Sequence, residues 1–88
     1  MAVTVEGDDL FRYRIGSEKV VSFGETIEQL INNLEVKYPG FRDDVLSDSN
    51  SSFRENVIVA LNGTEARAME QPLSDGDQVF FSYIESGG

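Results

Sequence analysis

Six residues, Asn56-Val57-Ile58-Val59-Ala60-Leu61, constrain the fold more than any other stretch of the chain. The run is strongly β-prone and apolar on both faces, the pattern of a central strand. Asn62-Gly63 follows at once, and both residues tolerate the positive φ that a two-residue hairpin turn demands. A short return strand is therefore expected over Thr64 to Arg67. A second anchor is the segment from Thr26 to Tyr38. Thr26 is a good N-cap, Gln29 completes a capping box, and Ile27, Leu30, Ile31, Leu34 and Tyr38 form one apolar face at helical spacing. Pro39-Gly40 ends it, because the residue before proline avoids the helical region.

The rest of the chain fits around these two elements. Ala2 to Glu6 alternates, with Val3 and Val5 pointing one way, and reads as a first strand; Lys19 to Phe23 reads as a second paired with it. Gly7-Asp8-Asp9 is punctuation between them. Leu10 to Ile15 is ambiguous: it alternates like a strand, and a loop or a helical turn also fits. Phe41 to Leu46 suits a short helical turn with Phe41, Val45 and Leu46 inward, and Ser47 to Ser52 a polar loop. Ser74-Asp75-Gly76-Asp77 is a tight turn before a last strand, Gln78 to Tyr83. Val79, Phe81 and Tyr83 share one face of that strand, and Phe80 and Ser82 the other. Two strands, a helix, a hairpin and a last strand make an α+β two-layer fold. Parallel pairing of the first and last strands at the sheet centre gives the β-grasp (ubiquitin-like) arrangement. The expected division is a β-grasp domain over 1–84 and a flexible C-terminal tail over 85–88.

Composition narrows the chemistry. Among 88 residues there is no cysteine and no histidine, so thiolate catalysis, disulfides and imidazole proton transfer are excluded. Asp43, Asp44 and Asp48 lack the spacing and closing glutamate of a calcium loop, and no metal site is expected. Sixteen acidic against seven basic residues leave a net charge of −9. That field repels phosphate backbones and favours a basic protein surface as partner. No apolar run approaches the roughly 20 residues of a membrane span, and the start of the chain does not read as a signal peptide. The expectations are no nucleic acid, no membrane and a cytoplasmic location. The chain closes on Ser86-Gly87-Gly88, two residues without Cβ that can thread a channel too narrow for other side chains.

In this order, the motifs resemble those of the ubiquitin-like β-grasp sulfur carriers. The nearest likeness is to the molybdopterin synthase small subunit, with the thiamine-pathway sulfur carrier and archaeal ubiquitin-like modifiers as relatives. Thr26 to Leu34 with Tyr38-Pro39-Gly40-Phe41 is similar to the family's helix. Asn56 to Gly63 is similar to its central strand and turn. Pro72-Leu73-Ser74-Asp75-Gly76-Asp77-Gln78-Val79 resembles its Leu-x-Asp-Gly-Asp-x-Val segment, at the same distance from the terminal glycine. Two departures stand out. Ser82-Tyr83-Ile84 occupies the place of an apolar-Pro-Pro run. The charged, strand-like stretch Asp8 to Gly16 replaces an apolar-aromatic loop followed by a short helix.

The resemblance implies a carrier or cosubstrate rather than an enzyme, with no catalytic side chain of its own. Gly88 would be the point of covalent attachment: an ATP-dependent adenylating enzyme of the ubiquitin-activating type would activate its carboxylate. A sulfurtransferase would then supply sulfur to make a thiocarboxylate. ATP is used by the activating enzyme, and no cofactor is bound by the chain itself. Gly87 and Ser86 would be needed for insertion into a partner, and Phe80, Ile84 and Glu85 would dock it. The recipient would be the large subunit of molybdopterin synthase, in molybdenum cofactor biosynthesis. The alternative is a ubiquitin-like modifier joined through Gly88 by an isopeptide bond to lysines of target proteins. A third reading, a non-covalent interaction domain with incidental glycines, predicts that loss of Gly87-Gly88 changes nothing.

Overall fold

In a computed structural model, residues 2–47 and 52–84 are described. They form five strands and three helices: β1 (Ala2–Gly7), α1 (Asp9–Ile15), β2 (Lys19–Phe23), α2 (Ile27–Lys37), α3 (Phe41–Val45), β3 (Val57–Leu61), β4 (Thr64–Ala66) and β5 (Gln78–Tyr83). The strands make one mixed sheet in the order β2-β1-β5-β3-β4. β1 and β5 run parallel at its centre, with Val5 beside Val79 and Gly7 beside Phe81, and the other pairs are antiparallel. This is the β-grasp arrangement expected from the sequence.

The amphipathic segment forms α2 as its pattern demands. Thr26 Oγ1 accepts from Gln29 N at 3.2 Å. The Gln29 side chain reaches back one residue further than in an ordinary capping box and accepts from Glu25 N at 2.9 Å. Ile27, Leu30, Ile31 and Leu34 are buried against the inner face of the sheet, each contributing about 1.5–3 kcal/mol of apolar burial. α3 has glycine at its N-cap. Its first amides are satisfied from α2 instead, where Glu35 Oε1 accepts from Gly40 N at 3.2 Å and from Arg42 N at 2.9 Å.

The inner face of β1 and β5 supplies Val3, Val5, Val79 and Phe81 to the core. Phe81 lies edge-on to Phe41 at 5.0 Å between centroids, and Phe11 is 5.7 Å from Phe81. These three rings join α1, α3 and the central strand in one cluster. The hairpin turn after β3 has Asn62 at φ 51° and Gly63 at φ 86°, both positive as its two-residue length requires.

One open reading closes and one expectation needs correction. Of strand, loop and helical turn, Leu10 to Ile15 takes the helical form, as α1. Phe11 and Ile15, four residues apart, are both buried on one helical side. Arg14 then fastens α1 to the α2–α3 junction: Nε and Nη2 donate to the Asp44 carboxylate at 2.7 and 3.3 Å, and Nη1 to Pro39 O at 3.0 Å. The departure noted for Asp8 to Gly16 is thus one of composition and not of shape. The correction concerns β3. It lies one place from the sheet edge, with Val57 and Val59 buried, whereas Ile58 and Ala60 are only half-buried on the outer face. The apolar character of that second face reflects a surface patch rather than a second packed layer.

Candidate functional site

β5 places the candidate docking residue by simple alternation. Val79 and Phe81 are fully buried, and Phe80 between them is 38% exposed on the opposite face. Across the ladder it faces Glu6 of β1 and Ala60 of β3, while Ser82 faces Ile58. Phe80, Ala60 and Ile58 therefore form an apolar patch on the outer face of the sheet. Glu6 and Glu65 flank that row, since Glu65 pairs with Ala60. Further along the same face Val21 and Phe23 of β2 are 62% and 59% exposed. The glutamates are flanked in turn by Lys19 at 4.0 Å from Glu6 and Arg67 at 3.3 Å from Glu65, so this is an apolar face with a charged rim, the make-up of a protein-docking surface.

The end of β5 is held from both sides. Tyr83 pairs with Val57, and Ile84 N donates to Asn56 O at 2.8 Å. On the other flank Asp8 N donates to Phe81 O at 3.2 Å. The Asp8 carboxylate accepts from Tyr83 N at 3.1 Å through Oδ1 and from Ser82 Oγ at 2.8 Å through Oδ2. A depression of about 320 Å³ lies beside this junction, lined by Leu10, Asp43, Asp44, Arg54, Asn56 and Tyr83. The start of β5 is equally tied. Asp77 accepts from Asn62 Nδ2 at 3.0 Å and from Ser74 N at 2.7 Å, bonds that hold its carboxyl below the usual carboxylate range.

Of the residues singled out in the sequence, Phe80 stands midway along β5 at 38% exposed and Ile84 directly follows the strand at 45% exposed. Glu85, Ser86, Gly87 and Gly88 lie outside the described residues, as does Asp48. Asp44 is engaged by Arg14, and among the described residues no cluster of acidic side chains could hold a metal ion. Among the described residues, no helix is long and apolar enough to cross a membrane. No local signal marks the role of Asp8. It reads as turn punctuation, and its partners are 74 and 75 positions away.

Comparison with known proteins agrees with this geometry. The sequence model of the ThiS family matches residues 10–88. SAMP1 from Haloferax volcanii superposes with a TM-score of 0.85 at 20% identity, over 100% of both chains. A chain of the Amycolatopsis orientalis BexX/CysO complex gives 0.85 at 21% identity, over 98% of this chain and 99% of that one. A Pyrococcus furiosus protein provisionally named molybdopterin converting factor subunit 1 gives 0.76 at 22%, covering 97% and 99%. No curated protein sequence matches the chain.

Proposed function

The chain belongs to the ThiS family, and on that premise we propose that it carries sulfur on the carboxylate of Gly88. A carboxylate resists nucleophiles because its charge repels them and oxide leaves poorly. Attack of the Gly88 carboxylate on the α-phosphorus of ATP expels pyrophosphate and gives an acyl adenylate, with AMP as a good leaving group. A persulfide of a sulfurtransferase then attacks the carbonyl carbon and displaces AMP, forming an acyl disulfide. A thiol reductant cleaves the S–S bond and leaves the thiocarboxylate. The partner enzymes supply the catalytic groups, and this chain supplies the end that reacts.

The observation that carries the reading is the position of β5. The central strand of the sheet ends at Tyr83, five residues short of Gly88 and three past the outward Phe80. From Ile84, four extended residues reach roughly 13 Å at about 3.3 Å each. That is enough to bury Gly88 in a partner docked on the Phe80 patch. Phe80 and Ile84 serve as contacts, and Glu85 as a rim charge toward a basic partner. The recipient of sulfur is the molybdopterin pathway, a reading supported by the likeness to the Pyrococcus furiosus converting-factor subunit.

Conjugation of Gly88 to target lysines is the second reading. It is supported by the fold shared with SAMP1, a small archaeal modifier protein. In that case a lysine amine, rather than a persulfide, displaces AMP. Both readings need a free Gly88 carboxylate. Adding one alanine after Gly88 is expected to abolish ATP–pyrophosphate exchange with the cognate activating enzyme. Exchange at the unmodified rate would refute both.

A further inference from the structure

Asp8 stands at the N-cap of α1, yet its side chain caps nothing there. Aspartate is favoured at that position because its oxygen can accept a first-turn amide. Here both oxygens go instead to β5, one to Tyr83 N and one to Ser82 Oγ, while Asp8 N holds Phe81 O. One residue thus grips three consecutive positions at the end of the strand that leads into the C-terminal residues.

The backbone around Asp8 is shaped to permit this. Asp9 sits at φ 36°, a left-handed conformation disfavoured for any residue with a Cβ. Gly7 lies so close to its neighbours that a Cβ would fall 2.5 Å from Phe11 Cβ and 3.2 Å from Phe81 O. Both features flank the residue whose carboxylate reaches β5.

We propose that Asp8 is a positioning residue for the chemistry at Gly88, fixing the course of β5 through Ser82 and Tyr83 relative to the Phe80 patch. The inference rests on the reading of Gly88 as the reacting end. Because the end of β5 is held at Phe81, Ser82, Tyr83 and Ile84, that course is settled on folding rather than when a partner docks. Without the Asp8 carboxylate the pairing to β3 remains, but the bonds to Ser82 and Tyr83 on the other flank are lost. Direction is what suffers, since a misplacement of about 1 Å can cost up to about 100-fold in rate.

The test is ATP–pyrophosphate exchange with the cognate activating enzyme, using the full chain and the variants Asp8→Ala, Asp8→Asn, Ser82→Ala and Phe80→Ala. For Asp8→Ala, kcat is expected to fall about tenfold with KM within about twofold of the parent. Phe80→Ala is expected to raise KM instead. Asp8→Asn should restore the rate, because its amide oxygen can accept from Tyr83 N and its NH2 can donate to Ser82 Oγ. Amide exchange at Tyr83 should quicken in Asp8→Ala while Val59 and Val79 stay protected. A folded Asp8→Ala with parental kcat overturns this inference alone. If Asp8→Ala does not fold, Ser82→Ala decides: it removes only the Oδ2 bond, and an unchanged kcat overturns the proposal just as well. A parent chain that supports no exchange at all overturns the sulfur-carrier reading, and this inference with it.

Discussion

Phe80 and Phe81 are adjacent in β5 and chemically identical, so replacing each by alanine isolates the effect of the face on which each stands. Phe81 is fully buried, with the Phe11 and Phe41 rings at 5.7 and 5.0 Å. Removing it leaves a cavity at the junction of α1, α3 and the central strand, a loss of about 3–5 kcal/mol. Phe80 is 38% exposed on the outer face, and its truncation costs only about 1–2 kcal/mol of transfer energy. A domain of this size has about 4–13 kcal/mol in total, so Phe81→Ala consumes about a quarter of the stability or more. Urea denaturation reads both variants. With an m-value of about 1–1.5 kcal/mol/M, the midpoint should drop by about 2–5 M for Phe81→Ala and by about 1–2 M for Phe80→Ala. Partner binding should order them the other way, with folded Phe80→Ala the weaker binder. Equal losses of stability, or a larger loss for Phe80→Ala, would mean that β5 is shifted by one residue and that its faces are exchanged. The assignment of Phe80 to the docking face would then fail.

Three further outcomes follow from local geometry. Gly7→Ala should destabilise by about 1–3 kcal/mol, because the new methyl meets Phe11 Cβ at 2.5 Å and the Phe81 carbonyl, neither a flexible chain end; a midpoint equal to the parent's would refute the close approach. Thr26→Ala should cost about 1 kcal/mol through loss of the bond to Gln29 N, measured in the same titration. Asp77 has its carboxyl held below 3.8, first by the Asn62 side chain and then by Ser74 N. A lowered folded pKa gives stability that is present above the unfolded value and lost as pH falls through the folded one. The difference in urea midpoint between the parent and Asp77→Asn should therefore be full near neutral pH and shrink below pH 3.8. A gap that widens in acid would contradict the assignment.

How legible the fold was depended on whether local pattern and tertiary contact agreed. α2 was readable because cap, apolar stripe and Pro39 all marked the same element. The parallel pairing of β1 and β5 followed from two unbroken strands at the two ends of the fold. α1 was not readable, because Phe11, Tyr13 and Ile15 alternate as a strand while Phe11 and Ile15 also stand four apart. The Arg14–Asp44 bridge and the ring cluster, both long-range contacts, settle the matter. The outer face of β3 was misjudged for a related reason: apolar residues on both sides of a strand fit a buried layer and a docking patch equally well. At the site, alternation alone placed Phe80 outward. The grip of Asp8 on Ser82 and Tyr83 spans almost the whole chain, and no local signal announces it.

The central claim is that the working atoms of this protein are those of its last carboxyl group. Intact-protein mass spectrometry tests it most directly, after incubation with ATP, the cognate activating enzyme, a persulfide-bearing sulfurtransferase and a thiol reductant. The account predicts a mass gain equal to exchange of one oxygen for sulfur, localised to Gly88 by fragmentation and absent when ATP is withheld. An unchanged mass with an active enzyme pair, or a modification that maps anywhere else on the chain, would contradict it.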